Sequence, residues 1–238
     1  MTHASRVPSH EPCSGKLTGM PEPRPVVAAF DLDGTLTEGG SVVKWLRHVG
    51  RRGSVTPAMM HHAPQLLWGS LRSGTTADDA KELLFRDALK GQSLERVTVA
   101  SADFARHHLT RDARSHVVRR LTWHVEQGHH VVIVSASPEI YVTMIAQSLG
   151  AHHAIGTRLA VDPRGQLTGG YLGRNCRGAE KMRRLQEWID TQAFAEPPEI
   201  FAYGNSRGDR RLLAGAHHPY DVGKLGRFGA LRAYPRFS

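Results

Sequence analysis

No uninterrupted apolar run in this 238-residue chain approaches the roughly 20 residues that a membrane-spanning helix needs. A helical membrane span is thereby excluded, and a soluble, cytoplasmic protein is expected. Cysteine is nearly absent: Cys13 and Cys176 are too few for a disulfide framework, and neither stands beside histidine at a zinc-binding spacing. Zinc-finger spacing, a recognition-helix pattern and strands interleaving aromatic with basic residues are all lacking, which argues against nucleic acid as a partner. Acidic residues are in the minority, 22 against 31 Lys and Arg, giving a formal charge of +9. The arginines are spread along helix-compatible segments, as in Arg119-Arg120 and Arg183-Arg184. They read as solvated faces, with contact to an anionic membrane surface as the lesser reading.

What is present suits one α/β core of ordinary size with a modest accessory domain. Residues 1–24 are rich in Pro, Ser, His and Gly, without periodicity or an apolar core of signal-peptide length. They read as a disordered tail, or as lying partly upstream of a start at Met20. Val26 to Phe30, Val131 to Val134 and Ile200 to Tyr203 are short apolar runs of the kind buried in a parallel sheet. Helical spacing of apolar residues follows over Arg111–Gln127, Pro138–Leu149 and Gly178–Thr191. This alternation predicts a doubly wound, mostly parallel sheet, with a hairpin turning at Asp162-Pro163-Arg164-Gly165. Residues 41–109 read instead as consecutive helices: Val42–Val49, Pro57–Leu71, Thr75–Leu89 and Leu94–His108. The predicted organisation is a core of residues 25–40 and 110–238 carrying a helical insert.

In an open parallel sheet, ligands sit outside the carboxyl ends of the strands. The three apolar runs deliver Asp31 and Asp33, then Ser135, then Asn205 and Asp209 to that edge, and Lys181 begins a nearby helix. Carboxylates, a hydroxyl, an ammonium and an amide together suit attack on a phosphoryl group. A phosphomonoester dianion repels nucleophiles, so its charge must be met by cationic donors. A carboxylate can attack phosphorus and divide the reaction into two steps. A second acid two residues along an extended segment faces the same way. It can protonate the leaving alcohol and later deprotonate water.

Asp31-Leu32-Asp33-Gly34-Thr35-Leu36-Thr37 resembles the first motif of the haloacid dehalogenase superfamily. The other motifs resemble it in the family's order: Ser135-Ala136-Ser137, Lys181, and Gly204-Asn205-Ser206-Arg207-Gly208-Asp209. The helical insert resembles the type one cap of the branch that includes phosphoserine phosphatases (subfamily IB). The resemblance implies a magnesium-dependent phosphomonoesterase working through an aspartyl-phosphate. Asp31 would be nucleophile and metal ligand, and Asp33 general acid/base with its carbonyl on Mg²⁺. Gly34, Thr35, Ser135, Ala136 and Lys181 would hold the phosphate, with Lys181 also catalytic. Thr35 is expected to steady the turn, its hydroxyl within reach of Asp33. Asn205 and Asp209 would complete the metal site. Asn205 departs from the family, which usually has aspartate there, so weaker metal binding is implied.

The fifteen histidines include five adjacent pairs, His61-His62, His107-His108, His129-His130, His152-His153 and His217-His218. Neighbours on a helix diverge by about 100°, so these read as solvated or capping residues and not as chelators. Ser137, preceding Pro138, reads as a helix N-cap. Arg207 reads as a surface residue, and Trp45, Trp68 and Met59-Met60 as packing within the insert. Lining up Asp31 puts Gly40 where the amino-acid-specific branch carries a substrate-binding glutamate. A small or lipid-like phosphomonoester is therefore preferred to phosphoserine, which stands second. The same residues would also serve a phosphotransferase or a catalytically weak phosphate-binding protein.

Overall fold

The computed structural model describes residues 24–50, 75–224 and 229–237, with the side chains of 75–80 excepted. The expected N-terminal tail lies outside the described residues. So does the segment Pro57–Leu71 with Met59, Met60, Trp68 and His61-His62.

Five parallel strands form the sheet: β1 (Val26–Phe30), β2 (His130–Pro138), β3 (His153–Thr157), β6 (Glu199–Gly204) and β7 (His218–Asp221). Their order is β3-β2-β1-β6-β7, every neighbouring pair parallel. The apolar runs are continuous because both faces are covered. Ala28, Phe30, Val131 and Ile133 point into one core, shared with α1 (Val42–Val49), α3 (Leu94–Asp112), α4 (Ser115–Glu126) and α5 (Glu139–Ser148). Val27, Ala29, Val132 and Val134 point into the other, closed by α6 (Ala179–Asp190) and α7 (Arg210–Ala214). The doubly wound architecture is thus built by strand alternation alone.

Between β1 and α4 the described chain is helical: α1, α2 (Thr75–Leu89) and α3. A separate antiparallel hairpin, β4 (Leu159–Val161) and β5 (Leu167–Tyr171), turns at the expected Asp162–Gly165. Main-chain hydrogen bonds join this hairpin to the α2–α3 corner: Gly91 N to Leu167 O, Leu94 N to Gly165 O and Leu167 N to Gln92 O, each 2.8–2.9 Å. Gly169, at φ +84°, lets the hairpin approach the backbone of α2 so closely that any Cβ there would meet Cα of Arg86.

Two expectations need correction. No single helix spans Arg111–Gln127: α3 continues to Asp112 and α4 starts at Ser115. The break arises because Arg114 N bonds to Leu36 O, while its buried guanidinium donates to Gly34 O and Val222 O. Ser137 caps no helix: β2 runs on to Pro138, which itself occupies the N-cap position of α5.

Candidate active site

The carboxyl ends of β1, β2 and β6 converge on one cluster. Asp31 follows β1, its N–H donating to Tyr203 O of β6 at 2.9 Å, so the ladder fixes its backbone. Lys181, in the first turn of α6, sends its ammonium to Asp31 Oδ1 at 2.5 Å and to Asp209 Oδ1 at 2.6 Å. All three are nearly sealed from solvent, at 5%, 2% and 1% exposure for Asp31, Lys181 and Asp209. Asp209 Oδ2 accepts from Asn205 N, Ser206 N and Ser206 Oγ, so both its oxygens are engaged in holding the loop after β6. Thr35 donates to Asp31 Oδ2 at 2.9 Å, not to Asp33 as expected, and lies 3.4 Å from Asn205 Oδ1. Gly34, at φ +81°, packs against the Asn205 amide, which a Cβ at 34 would strike.

Asp33 is half-buried on the loop after β1. Ser41 N donates to its Oδ1 at 2.7 Å and Ser137 Oγ to its Oδ2 at 2.5 Å. Ser135 is buried, its hydroxyl accepting from Ser137 N at 3.1 Å. The Ala136 carbonyl lies 2.7 Å from the Thr157 hydroxyl and accepts from Lys81 Nζ of α2 at 2.5 Å. Lys81 also reaches Asn175 Oδ1 at 3.3 Å, so it joins the helical segment both to the end of β2, which carries Ser135, and to the loop before α6. Arg207 is exposed. A concavity of about 550 Å³ touches the cluster at Gly34 and Asn205, with Arg207 and Lys224 on its rim. A larger one, about 690 Å³, lies behind α6 at Arg158, Arg184 and Trp188 and touches none of these residues.

The electrostatics follow from burial. Burial and the charge of Asp209 push Asp31 up to about 7, against the pull of Lys181. Burial alone would push the Lys181 ammonium down, but Asp209 and Asp31 hold it above its ordinary value. Asp31 and Asp209 share one ammonium, and the charge of Asp33 also acts on Asp31, so acidic groups outnumber the ammonium here. Asp31 Oδ2 and the Asn205 amide oxygen both face Thr35 Oγ, two hard oxygens beside that excess. The donor set therefore fits Mg²⁺, which takes one or two carboxylates and keeps several waters. Among the described residues no group of three His, Cys, Asp or Glu forms a metal cluster.

Sequence reasoning placed Asp31, Asp33, Ser135, Lys181, Asn205 and Asp209 at this edge and missed several neighbours. Lys81 and Asn175 carry no local signal, being one lysine on a helix and one asparagine in a loop. Ser41 and Ser137 carry misleading ones, both standing where helix caps stand. The histidine pairs are also more engaged than expected. His108 is buried, with Nδ1 2.8 Å from Asp112 Oδ2. His152 Nδ1 and His217 Nδ1 accept from the main-chain N–H groups of Val131 and Ile200.

Among known proteins, the chain is 32% identical over 209 residues to Protein CicA of Caulobacter vibrioides, covering 84% of this chain and 87% of that one. It is 23% identical over 198 residues to a histidinol-phosphatase of Neisseria meningitidis, covering 82% and 89%. A crystal structure of a Bordetella pertussis protein of unknown function superposes with a TM-score of 0.76 at 22% identity, over 91% of this chain and 99% of that one. A phosphoserine phosphatase with a phospho-aspartyl intermediate analogue gives 0.58 at 20%, over 84% and 87%. At such identities these two structures establish the fold alone. The model of the haloacid dehalogenase-like hydrolases matches residues 28–214, from within β1 to the end of α7. The chain belongs to that family.

Proposed function

We propose that this hydrolase is a phosphomonoesterase in which Asp31 is the nucleophile and Asp33 the general acid/base. The observation that supports it most is the pairing of Asp31 with Lys181 at 2.5 Å, beside Asp33, at the carboxyl end of the central strand. Lys181 keeps one oxygen of Asp31 occupied, and Thr35 orients the other. In the first step an Asp31 oxygen bonds to phosphorus, the ester P–O bond breaks, and Asp33 gives its proton to the leaving oxygen. In the second, water attacks the aspartyl-phosphate, Asp33 takes its proton, and Asp31 is released with inorganic phosphate. Ser135, the main chain at Ala136, and Lys181 would hold the phosphoryl oxygens. Asp31, the Asp33 carbonyl and Asn205 would hold Mg²⁺, which when bound neutralises phosphoryl charge. Asp209 acts by fixing Lys181 and the Asn205 loop.

Residues 41–109 would act as a cap over this edge, the role suggested by Lys81 reaching from α2 to Ala136. The substrate class proposed is a small organic phosphomonoester, lipid-like esters included. Gly40, exposed and without a carboxylate, supplies nothing to bind a substrate ammonium. The test is a phosphomonoester panel with and without Mg²⁺, containing phosphoserine and histidinol phosphate, run beside Asp31→Asn. Magnesium-stimulated release of phosphate that vanishes in Asp31→Asn is expected. Phosphoserine outrunning all other esters would overturn the substrate class. Release unaffected by Asp31→Asn would overturn the mechanism.

A further inference from the structure

Asp33 lies on the turn after β1, whose backbone is fastened by Thr35 N and Thr37 N to Leu32 O and by Gly34 N to Thr37 O, but its carboxylate reaches out to partners beyond that turn. Its aim comes from hydroxyls. Ser137 Oγ donates to Asp33 Oδ2 at 2.5 Å, Ser41 Oγ lies 3.4 Å from Ser137 Oγ, and Tyr141 Oη lies 2.7 Å from Ser41 Oγ. Ser41, Ser137 and Tyr141 are all buried, at 1% exposure or less.

A carboxylate only accepts, and each hydroxyl has one proton to give. Ser137 therefore donates to Asp33, and the Ser41 and Tyr141 hydroxyls, bonded to each other, are left to donate toward Ser137, as when Tyr141 donates to Ser41 and Ser41 to Ser137. Hydrogen bonds aligned head to tail in this way polarise one another. The far end is held by packing. The Tyr141 ring sits 5.2 Å from that of Trp45 on α1 and 5.3 Å, edge-on, from that of Phe104 on α3. Ser41 contributes twice, since its main-chain N–H also holds Asp33 Oδ1. The two ends of the chain come from α5 of the core and the loop after β1, with the helical segment packed around Tyr141.

We propose that Ser137, Ser41 and Tyr141 are positioning residues: a buried hydroxyl relay that aims Asp33 at the leaving oxygen of the substrate. It rests on the reading of Asp33 as general acid given above. Loss of the relay affects proton delivery to the leaving group and leaves Asp31, Lys181 and the phosphate contacts in place. The effect must therefore depend on how much the leaving group needs a proton. Glycerol 2-phosphate, whose alkoxide needs one, and p-nitrophenyl phosphate, whose phenolate does not, separate the two cases.

The experiment measures kcat/KM for both esters in wild type, Asp33→Asn, Ser137→Ala and Tyr141→Phe, with thermal melting of each. In Ser137→Ala, kcat/KM for glycerol 2-phosphate falls by about tenfold to a hundredfold, and that for p-nitrophenyl phosphate by less than about threefold. Tyr141→Phe, which removes only the last hydroxyl, shifts the same ratio in the same direction by a smaller factor. Equal losses on both esters in the two relay variants, or no loss on either, overturn the relay while leaving the function intact. An Asp33→Asn protein that loses nothing on glycerol 2-phosphate overturns the general-acid reading and the relay with it.

Discussion

The two ends of the five-stranded sheet solve the same problem in opposite ways. Each must place polar side chains where β1, β2 and β6 meet the surrounding helices. At the amino end the groups are mostly imidazoles. Burial holds His124, His129, His130 and His153 below the usual histidine range, and His124 falls to about 3. These uncharged imidazoles join a network with a single cation: Arg120 donates to Tyr203 Oη at 2.8 Å, which reaches back from the far end of β6 to lie 2.9 Å from His124 Nε2, whose Nδ1 lies 2.7 Å from His129 Nδ1. At the carboxyl end the groups are full charges, two acids and an ammonium at 5% exposure or less. Burying charge costs free energy that pairing offsets only in part, whereas neutral polar groups need only be hydrogen-bonded. One end of the sheet buries polar groups that are mostly uncharged, and the other concentrates charge.

The comparison breaks first at the proposed nucleophile. If Asp31 attacks phosphorus, Asp31→Asn should lower turnover by about 10³-fold or more. Far-ultraviolet circular dichroism should be unchanged, because Lys181 keeps Asp209 as partner. Lys181→Met removes the ammonium that stands between Asp31 and Asp209. Urea unfolding at neutral pH should show a loss of about 3–5 kcal/mol, the usual cost of stranding one side of a buried pair. That loss should shrink towards pH 5 as the stranded carboxylates take up protons. A deficit independent of pH would mean that packing, and not charge, is what Lys181 supplies.

Asn205→Asp restores a charge to the acidic end. The magnesium concentration for half-maximal activity should fall about tenfold, read from a metal titration, because ligand charge sets divalent affinity. The smallest effect belongs to the histidine end. The folded-state value of His124 lies below its unfolded one, so the unfolded chain binds the extra proton between about pH 6.5 and 3. Stability therefore falls as pH drops through that window, by at most about 1.4 kcal/mol per pH unit from this residue. His124→Gln should flatten that slope in urea unfolding between pH 6 and 4. An unchanged slope would show that other groups carry the acid sensitivity.

The features legible beforehand were those written locally. Val26 to Phe30, Val131 to Val134 and Ile200 to Tyr203 announce buried parallel strands because each is apolar on both faces, and the residues just after them landed together. β7 announced nothing, since His218-Pro219-Tyr220-Asp221 has no apolar run and proline is tolerated there at a sheet edge. Ser137 shows how a local signal loses to a distant partner. Serine before Pro138 suggests a cap, but Asp33, 104 positions away, takes its hydroxyl. The break at Arg114 is of the same kind, imposed by the carbonyls of Leu36, Gly34 and Val222. Lys81 and Asn175 meet only through folding, and no spacing rule connects a helix to a loop 94 residues on.

The place of β1 in the sheet also bears on the order of assembly. Among the described strands it is the first made and the middle one in space, and its second neighbour, β6, begins only at Glu199. At the usual pace of translation, roughly 10–30 s separate Phe30 from Glu199 leaving the ribosome. Throughout that interval one edge of an entirely apolar strand is unpaired. The bond between Asp31 and Lys181 spans 150 positions, so the proposed reactive centre cannot exist on any nascent chain that has yet to make α6. Activity is therefore a late marker of folding for this protein, acquired only once nearly the whole chain is in place.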